Sequence, residues 1–260
     1  MSGDLYVHRY GPSGPLRILA LHGLTGHGQR WHRLSAEHLP EVALAAPDLL
    51  GHGRSSWAAP WTIDANVRAL AGLLDEQANL PVLVVGHSFG GAIALHLAAT
   101  RPDLVAALVL LDPAIGLNGD RVRAIADAML AFPDYPGAAE ARADKAAGSW
   151  ADVAPAVLDA ELEQHLVALP GGRYRWRISL PAMMSYWSEL ARAIVLPPKG
   201  TPTTVVRAKR TSPPYVTQEL ITGLRQRLGS DFRLLDFDCQ HMVAQAKPAE
   251  VAAVIRAQIR

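Results

Sequence analysis

The chain has 260 residues, of which 50% are hydrophobic and 19% are charged, and its formal net charge is +1. This is the composition of a globular protein, and the length suits one domain with an insertion or two small domains. Because no long block of like charge occurs, the sequence argues against nucleic acid and against an anionic membrane surface as partners.

The first residues and the cysteine content indicate the cellular compartment in which we expect the protein. The first residues, MSGDLYVHRYGPSG, contain no basic segment followed by an apolar one, so we expect no signal peptide. No apolar run is long enough to span a bilayer. The single cysteine, Cys239, excludes an internal disulfide framework and fits a reducing compartment. We therefore expect a soluble, cytoplasmic protein.

Short apolar runs alternate with helical patterns over much of the chain. Strands are predicted at residues 16–23, 41–48, 81–88, 107–113, 203–208 and 232–237. A helix is predicted at 62–77, with Thr62 as its N-cap. An almost wholly apolar helix is predicted at 90–101 and ends before Pro102, and the last helix is expected to begin at Pro248. This alternation predicts an α/β fold whose mostly parallel central sheet is covered by helices on both faces.

The alternation stops between about residue 113 and residue 199. Helical stretches are predicted there at 119–131, 155–168 and 181–195. A structureless loop of this length is improbable inside a compact domain, so we expect a helical cap, or lid, over one edge of the sheet. The predicted organisation is a core formed by residues 1–112 and 200–260, with the cap formed by residues 113–199.

The predicted cap is rich in aromatic residues and methionines. Each of them, taken alone, is best explained by packing inside the cap. As a group above a site, they would form an apolar wall for a ligand. The candidates for this substrate pocket are Trp150, Met183, Met184 and Trp187.

The segment VLVVGHSFGGAIAL, residues 82–95, places Ser88 between glycines at the junction of a predicted strand and a predicted helix. A serine on such a turn has strained backbone angles, and small neighbours let the turn pack while the hydroxyl projects. The helix start offers backbone N–H groups and a positive dipole end to a developing negative charge. With this context on both sides, the pattern indicates a nucleophile rather than a tight turn with an incidental serine.

Four motifs, in this order, resemble the α/β-hydrolase superfamily. They are LHGLTGHG, PDLLGHGRS and GHSFGG, which follow successive predicted strands, and DCQHMV near the end. The resemblance covers nearly the whole chain and is greatest to small carboxylesterases and lipases, including mycobacterial Lip-type enzymes. It implies that Ser88 is the nucleophile and that His241 is its general base. It also implies an oxyanion hole formed by the backbone N–H groups of Leu24 and Phe89.

Other residues of these motifs have structural explanations. His22, His52 and His87 are better explained as groups that brace loops than as catalytic bases. Asp48 and the residues after it are expected to form a turn held by side-chain-to-backbone hydrogen bonds. Cys239 is expected to be a small buried residue.

The carboxylate that would orient His241 is missing from the place where most relatives have it. That place lies in RAKRTSPPYV, residues 207–216, which contains no acidic residue. A carboxylate is needed to hold the productive imidazole tautomer and to stabilise the imidazolium. Asp112 is favoured, because it ends a predicted strand and the carboxyl ends of parallel strands carry functional residues. The alternatives that stay open are Glu219, Asp236 and Asp238.

The resemblance implies a two-step acyl transfer that needs no metal and no cofactor, with a small hydrophobic ester as substrate. The expected enzyme is a carboxylesterase or lipase. The alternatives within this fold are a C–C bond hydrolase, a lactonase and an acyltransferase. A non-catalytic ligand receptor is less favoured, because Ser88 and His241 are intact. The basic pair Lys209 and Arg210 is expected to be a solvated turn, with contact to acidic lipid head groups at a membrane interface as the alternative.

Overall fold

A computed structural model describes residues 5–77 and 80–259. Within these residues, the main sheet has seven strands. They are β1 (Val7–Tyr10), β2 (Ile18–Leu21), β3 (Leu44–Pro47), β4 (Val82–His87), β5 (Val105–Leu111), β8 (Thr203–Ala208) and β9 (Phe232–Phe237). A separate antiparallel pair is formed by β6 (Leu166–Ala168) and β7 (Tyr174–Trp176). Residues 1–4 and residue 260, at the two ends of the predicted core, lie outside the described residues.

Each predicted helix begins within one residue of its predicted position, but the helix predicted at 181–195 ends early, at Glu189. The helices of the described residues are α1 (Ile63–Asp75), α2 (Phe89–Thr100), α3 (Gly119–Ala131), α4 (Ala138–Ala147), α5 (Pro155–His165), α6 (Leu180–Glu189), α7 (Gln218–Leu228), α8 (Val243–Ala246) and α9 (Pro248–Arg256). The Thr62 hydroxyl accepts a hydrogen bond from the N–H of Ala65 at 3.0 Å, which confirms the N-cap of α1. No helix within residues 5–77 and 80–259 is both long and apolar enough to cross a membrane.

The strands of the main sheet lie in the order β1-β3-β2-β4-β5-β8-β9. Only the edge strand β1 is antiparallel to its neighbour, which confirms the predicted mostly parallel sheet. Neighbouring residues of β4 point to opposite faces. Val84 packs with residues of α1 and α2, whereas Val85 packs with Trp31 and with residues of α9. Helices therefore cover both faces, as the continuously apolar strands predicted.

The register of the sheet brings three loops to one edge. His87 at the end of β4 pairs with Leu111 at the end of β5, and Leu111 pairs with Val206 of β8. Ser88 and Asp112 therefore leave the sheet side by side. The last residue of β9, Phe237, pairs with the last residue of β8, so the segment that leads to His241 starts from the same edge.

Several elements were not predicted, each for a physical reason. The strand β1 has the sequence VHRY and lies at the edge, so it lacks the apolar run of a buried strand. The helix α4, AAEARADKAA, has no apolar face and owes its helicity to alanine-rich composition. The helix predicted at 155–168 ends at His165, because residues 166–168 pair with β7 instead.

The chain between β5 and β8 forms α3 to α6 and the β6–β7 hairpin, and α6 is tied to the core. Met183 and Tyr186 of α6 are completely buried. The Tyr186 hydroxyl donates to the Leu50 carbonyl at 2.9 Å and accepts from the Asn66 side chain at 2.8 Å. The last helix of this segment thus packs as part of the core, whereas α3, α4 and α5 precede it around the hairpin.

The buried carboxylate of Asp48 holds together the loops after β2 and β3. It accepts hydrogen bonds from the N–H groups of Gly28 at 2.6 Å and Arg54 at 2.8 Å, which confirms the predicted turn. Burial raises the pKa of the Asp48 carboxyl, but hydrogen bonds from His8 and from these N–H groups outweigh burial and hold the pKa well below its ordinary value.

The substitution Asp48→Asn is expected to lower the free energy of unfolding at pH 7 by about 1–3 kcal/mol, because an amide cannot accept both backbone bonds as a carboxylate does. The folded pKa of Asp48 lies below the unfolded value of about 3.9, so the advantage of the wild type is present above that pH and declines as the pH falls. Urea unfolding at pH 7 and pH 3 measures this, and a difference that does not shrink at pH 3 would contradict it.

Candidate active site

Ser88 lies at the junction of β4 and α2 with φ 52° and ψ −116°. For a residue other than glycine, a positive φ is strained and is characteristic of functional turns. The N–H of Ser88 donates to the Leu111 carbonyl at 3.0 Å, and the Ser88 carbonyl accepts from the N–H of Gly91 at 2.9 Å. The strained turn predicted from the glycine-rich motif is therefore present and is held by backbone bonds on both sides.

Glycines surround Ser88 because the backbones approach closely. A Cβ atom on Gly86 would lie 2.4 Å from the Gly90 carbonyl oxygen, and one on Gly90 would lie 2.4 Å from the Leu21 carbonyl oxygen. A Cβ atom on Gly23 would lie 3.0 Å from the Cβ atom of Ser88. These approaches place the loop after β2 directly against the serine.

His241 and Asp112 meet at the same edge of the sheet. Nδ1 of His241 lies 2.6 Å from Oδ2 of Asp112, and Oδ1 of Asp112 accepts from the N–H of Ala208 at 3.1 Å. The two side chains are 12% and 1% exposed, so their hydrogen bond is sheltered from water, which strengthens it. The structure thus brings together the histidine and the carboxylate that the sequence analysis favoured.

The other candidate carboxylates face different partners. Asp236 forms two hydrogen bonds of 2.8 Å with Arg207. Asp238 pairs with Arg210 at 2.7 Å. Glu219, in the first turn of α7, is exposed to solvent. The hydrogen bonds from Arg207 and Arg210 lower the pKa of Asp236 and Asp238, so these carboxylates are surface anions that brace the strand ends.

Backbone strain is concentrated around this edge of the sheet. In the described part of the chain, the residues other than glycine with positive φ are Thr25 at 59°, Ser88 at 52° and Asp112 at 43°. Such conformations persist only where the surrounding structure imposes them, and they cluster at functional sites. The serine, the carboxylate that contacts His241 and the residue after Leu24 share this property.

Two backbone donors beside Ser88 have no protein acceptor. Across residues 5–77 and 80–259, no hydrogen bond is formed by the N–H of Leu24 or by the N–H of Phe89. Phe89 is completely buried, where an unpaired N–H is rare. Phe89 follows Ser88 directly, and the loop that carries Leu24 packs on Ser88 through Gly23. Two free donors beside a serine are what an oxyanion hole requires.

Ser88 and His241 are connected through His87. Among the described residues, no hydrogen bond joins the Ser88 hydroxyl to the His241 imidazole. Nε2 of His87 is hydrogen-bonded to the His241 carbonyl at 2.8 Å, and the two imidazole centroids are 4.7 Å apart. Hydrogen bonds between nucleophile and base are often long without substrate and tighten in the complex.

The other motif histidines brace loops, as expected. Nε2 of His22 accepts from the N–H of Leu49 at 2.9 Å, and Nδ1 of His52 donates to the Leu50 carbonyl at 3.0 Å. Burial holds the pKa of His22 and of His87 well below its ordinary value and lowers the pKa of His52 to about 4. These imidazoles are neutral at physiological pH.

The sequence analysis missed Tyr215, whose ring centroid lies 4.3 Å from that of His241. Arg121 of α3 holds this loop, because its guanidinium donates to the carbonyls of Pro213 and Pro214 at 2.8 and 2.7 Å. The guanidinium carbon also lies 4.4 Å from the Tyr215 ring centroid. The only sequence signal was the position of Tyr215 in the loop after β8, at the edge where the site forms.

A cavity of about 750 Å³ lies among α3, α4 and the β6–β7 hairpin. This volume is within the usual range for small-molecule sites. Trp150 and Thr25 line it, together with Ile125, Ala128, Met129, Phe132, Tyr135 and Trp176. Met183, Met184 and Trp187 pack in or against the main core and do not line this cavity. Of the residues expected in a pocket wall, the structure thus places Trp150 at this cavity.

Two further expectations concern the end of the sheet. Arg210 pairs with Asp238 at 2.7 Å and with Asp152 at 3.2 Å, which agrees with a solvated turn. Cys239 is completely buried, and burial raises the pKa of its thiol to about 11. The cysteine is therefore an unreactive filler, as predicted.

The parallel sheet, the strained serine between strand and helix, and the histidine–carboxylate pair define a hydrolase of the nucleophile-elbow type. The chain belongs to the alpha/beta hydrolase family, whose profile matches residues 18–254.

Known proteins with similar sequences include lipases. The chain is 72% identical over 256 residues to "Lipase LipV" of Mycobacterium tuberculosis, and the match covers 98% of each chain. It is 30% identical to "sn-1-specific diacylglycerol lipase ABHD11" of Mus musculus, over 66% of this chain and 58% of that relative.

Solved structures share the fold. The M. tuberculosis esterase Rv0045c has a TM-score of 0.74 at 24% identity, with 99% of this chain and 89% of that chain covered. An E-2-(acetamidomethylene)succinate hydrolase has a TM-score of 0.83 at 21% identity, with 98% of this chain and 94% of that chain covered. At these identities, both likenesses establish the fold and nothing more specific.

The substitution Asp112→Asn is expected to lower kcat for ester hydrolysis about 10⁴-fold, because an amide favours the wrong imidazole tautomer. Glu219→Gln is the matched control and is expected to keep wild-type turnover. Steady-state kinetics on a soluble ester, with circular dichroism to verify folding, measure both. A folded and fully active Asp112→Asn enzyme would overturn the assignment of this carboxylate.

Proposed function

We propose that this chain hydrolyses esters of hydrophobic acyl groups, as a carboxylesterase or lipase, with Ser88, His241 and Asp112 as its catalytic triad. The observation that carries the proposal is the 2.6 Å contact between His241 and Asp112 at the sheet edge where Ser88 occupies a strained turn. The family and the relative named as a lipase support the reaction class: the chain is a serine hydrolase of carboxylic esters.

Acylation begins when the Ser88 hydroxyl attacks the ester carbonyl carbon while Nε2 of His241 takes its proton. Asp112, bonded to Nδ1, keeps that tautomer and stabilises the imidazolium. The carbonyl oxygen becomes an oxyanion that accepts from the N–H groups of Leu24 and Phe89. One such donor contributes about a hundred- to a thousand-fold in rate. His241 then protonates the leaving alcohol as the carbon–oxygen bond breaks.

Deacylation repeats these steps with water. His241 takes a proton from water as it attacks the acyl carbonyl, and the same two N–H groups hold the second oxyanion. The bond to Ser88 Oγ then breaks, its proton returns from His241, and the carboxylic acid leaves. His22, His52 and His87 are assigned no step, since each has a ring nitrogen bonded to a backbone group of the loops it braces.

The rival functions have less support. A C–C bond hydrolase, a lactonase or an acyltransferase would use the same serine and histidine, but the relative that is 72% identical over 98% of each chain is named as a lipase. A non-catalytic receptor has no need for three strained backbone positions around a serine, a histidine and a carboxylate.

The cavity beside Thr25 is the proposed site for the acyl chain. It is lined largely by apolar and aromatic side chains, including Ile125 and Trp150, and it touches the loop that carries Leu24. Ser88, Leu24 and Phe89 do not line the cavity, so an acyl chain that extends from the oxyanion hole would reach this apolar space past Thr25. The other candidates from the sequence, Met183, Met184 and Trp187, would then support the site from within the core.

The division into a core and a cap of residues 113–199 is also part of the proposal. The segment supplies most of the cavity wall, as a cap over a site would. Because α6 is bonded to the core through Tyr186, and Glu161 of α5 is bonded to Arg30 and to Lys145 of α4, we place any opening motion in α3 rather than in the whole segment. Protection of amide hydrogens from exchange would be high in α5 and α6 and lower in α3.

We place a lipid-interface contact at the C-terminal end of α3 rather than at the Lys209–Arg210 turn. Phe132 is 78% exposed and lines the cavity, and Leu130 is 52% exposed beside it. Exposed apolar side chains at a cavity mouth suit contact with an aggregated lipid substrate. The cytoplasmic location expected from the single cysteine belongs to the proposal too, and cell fractionation would check it.

The proposed activity predicts turnover of p-nitrophenyl esters, with kcat/KM that rises with chain length from acetate to an optimum among longer acyl groups. The substitution Ser88→Ala abolishes it. A fluorophosphonate probe is expected to label the wild type at Ser88 and to leave Ser88→Ala unlabelled. No ester turnover together with no labelling would exclude this function.

Hydrolysis of an emulsified triacylglycerol tests the proposed contact with a lipid–water interface. Phe132→Ser is expected to lose activity on the emulsion while it retains turnover of a soluble short ester. Equal activity of wild type and Phe132→Ser on the emulsion would contradict a lipid contact through Phe132.

The substitution Ala128→Trp is expected to reduce the ratio of kcat/KM for a dodecanoyl ester to that for an acetyl ester by at least about tenfold, because the indole occupies the cavity. Ala124→Trp is the matched control: both alanines are exposed on α3, one turn apart, but only Ala128 lines the cavity. An unchanged ratio in Ala128→Trp would show that the acyl chain binds elsewhere.

A further inference from the structure

A buried cluster of charged side chains lies beside the proposed oxyanion hole and has no part in the triad. Glu161 of α5, 2% exposed, is its centre. Its carboxylate lies 2.5 Å from Nη2 of Arg30, 2.5 Å from Nζ of Lys145 and 3.0 Å from Nε2 of His27. The three partner side chains are each less than a tenth exposed. Burying four such groups is costly unless their geometry is specific, so their role needs an explanation.

Arg30 of this cluster and the neighbouring His165 hold one carbonyl oxygen. Nη2 of Arg30 donates to the Thr25 carbonyl at 3.0 Å, and Nε2 of His165 lies 3.1 Å from the same oxygen. The His165 ring stacks on His27 with centroids 4.5 Å apart. Glu161 therefore reaches the Thr25 carbonyl along two paths, through Arg30 and through His27 with His165.

Thr25 occupies the position of the loop that most needs such support. The N–H of Gly26 donates to the Gly23 carbonyl at 3.0 Å, which closes a turn with Leu24 and Thr25 as its central residues. Thr25 has φ 59°, a value that this turn position accepts readily from glycine and only under strain from a β-branched residue. The turn is thus held from outside, and Leu24 is its other central residue.

Arg30 supplies the permanent positive charge of this cluster, since burial lowers the pKa of Lys145 to about 7. Burial raises the pKa of the Glu161 carboxyl, but the charges of Arg30 and Lys145 outweigh burial and hold the pKa well below its ordinary value. Glu161 is therefore an anion at all working pH values. It compensates Arg30, which would otherwise be an unpaired charge beneath the turn. Lys145 is enclosed on its other sides by the rings of Trp150 and Trp176, at 4.7 and 3.7 Å from their centroids.

We infer that Glu161 is a positioning residue for the oxyanion hole: it fixes Arg30, which holds the strained Leu24–Thr25 turn and so aims the Leu24 N–H at the oxyanion. The inference rests on the proposed function. It assigns a role in the reaction to a side chain of the cap segment that touches neither the substrate nor the triad. Removal of the Glu161 charge would free Arg30 and let the Thr25 turn relax.

The variant Glu161→Gln tests this, because it removes the charge and keeps the size. We expect kcat for p-nitrophenyl butyrate to fall about 10- to 100-fold with KM changed by less than about twofold, since a misaimed donor is felt in the transition state only. The pH dependence of kcat/KM is expected to keep the wild-type pKa of the base, because the Asp112–His241 pair is untouched.

A trifluoromethyl ketone with a butyl chain supplies the second measurement. Ser88 Oγ adds to its carbonyl carbon, the serine proton passes to His241, and the carbonyl oxygen becomes an oxyanion held by the two N–H groups. Its affinity for Glu161→Gln is expected to weaken by the same factor as kcat. A purely structural loss would lower the fraction of active enzyme, as titrated with fluorophosphonate, and leave the affinity unchanged.

The matched control is Asp159→Asn on the same helix. Asp159 accepts from Nε of Arg142 of α4 at 2.7 Å on the surface, so its loss breaks an α4–α5 ion pair without reaching Thr25. We expect Asp159→Asn to keep the kcat and the ketone affinity of the wild type. If Glu161→Gln does not fold, Arg30→Lys is the second variant. It keeps a cation beside Glu161 but removes the guanidinium group that also binds the Thr25 carbonyl. The same losses in kcat and in ketone affinity are expected.

Wild-type kcat and ketone affinity in a folded Glu161→Gln or Arg30→Lys enzyme would overturn the inference. A loss confined to KM, or an equal loss in Asp159→Asn, would do so as well. Failure of the proposed function looks different, since the wild-type chain itself would then turn over no ester and take up no fluorophosphonate.

Discussion

The hydrogen bond between Asp112 and His241 constrains the rest of the site. It requires β4, β5, β8 and β9 to end at one level, because the serine, the carboxylate and the histidine come from three different loops. Parallel pairing meets this requirement, since every strand of the central sheet sends its carboxyl end to the same edge. The end of β8, where the family resemblance implied the acid, here contributes the N–H of Ala208 to Asp112. One strand thus supplies the carboxylate and its neighbour holds it.

The second constraint is the strained backbone of Ser88 and Asp112, which hydrogen bonds from the core stabilise. Ser88 is held by the carbonyl of Leu111 on β5, and the N–H of Asp112 donates to the Val206 carbonyl on β8 at 2.7 Å. Both supports come from the buried centre of the sheet, which does not deform easily. Thr25 differs, because its carbonyl is held by two side chains, those of Arg30 and His165, and His165 belongs to the segment between β5 and β8. The part of the site with the least support from the sheet therefore depends on buried charge.

The segment between β5 and β8 is consequently more than a cover. Its α6 packs in the core through Tyr186, and its α3 holds the loop of Tyr215 through Arg121. Glu161 of α5 reaches the loop on the other side of the serine. This segment therefore contacts the loops on both sides of Ser88, so a shift of the segment would change the geometry of the site.

The sequence by itself determined the class of fold, most strand and helix positions, and the two motif residues Ser88 and His241. Hydrophobic period, caps and glycine-rich turns act over a few residues, so they can be recognised locally. Only the tertiary structure decided that Asp112 contacts His241 across 129 residues of chain, since strand register determines which of the candidate carboxylates lies beside the imidazole. The same holds for Tyr215 against the imidazole, and for Glu161, a charged residue that local patterns place on the surface. Its burial depends on partners distant in sequence, because only their combined charges and hydrogen bonds offset the cost of removing it from water.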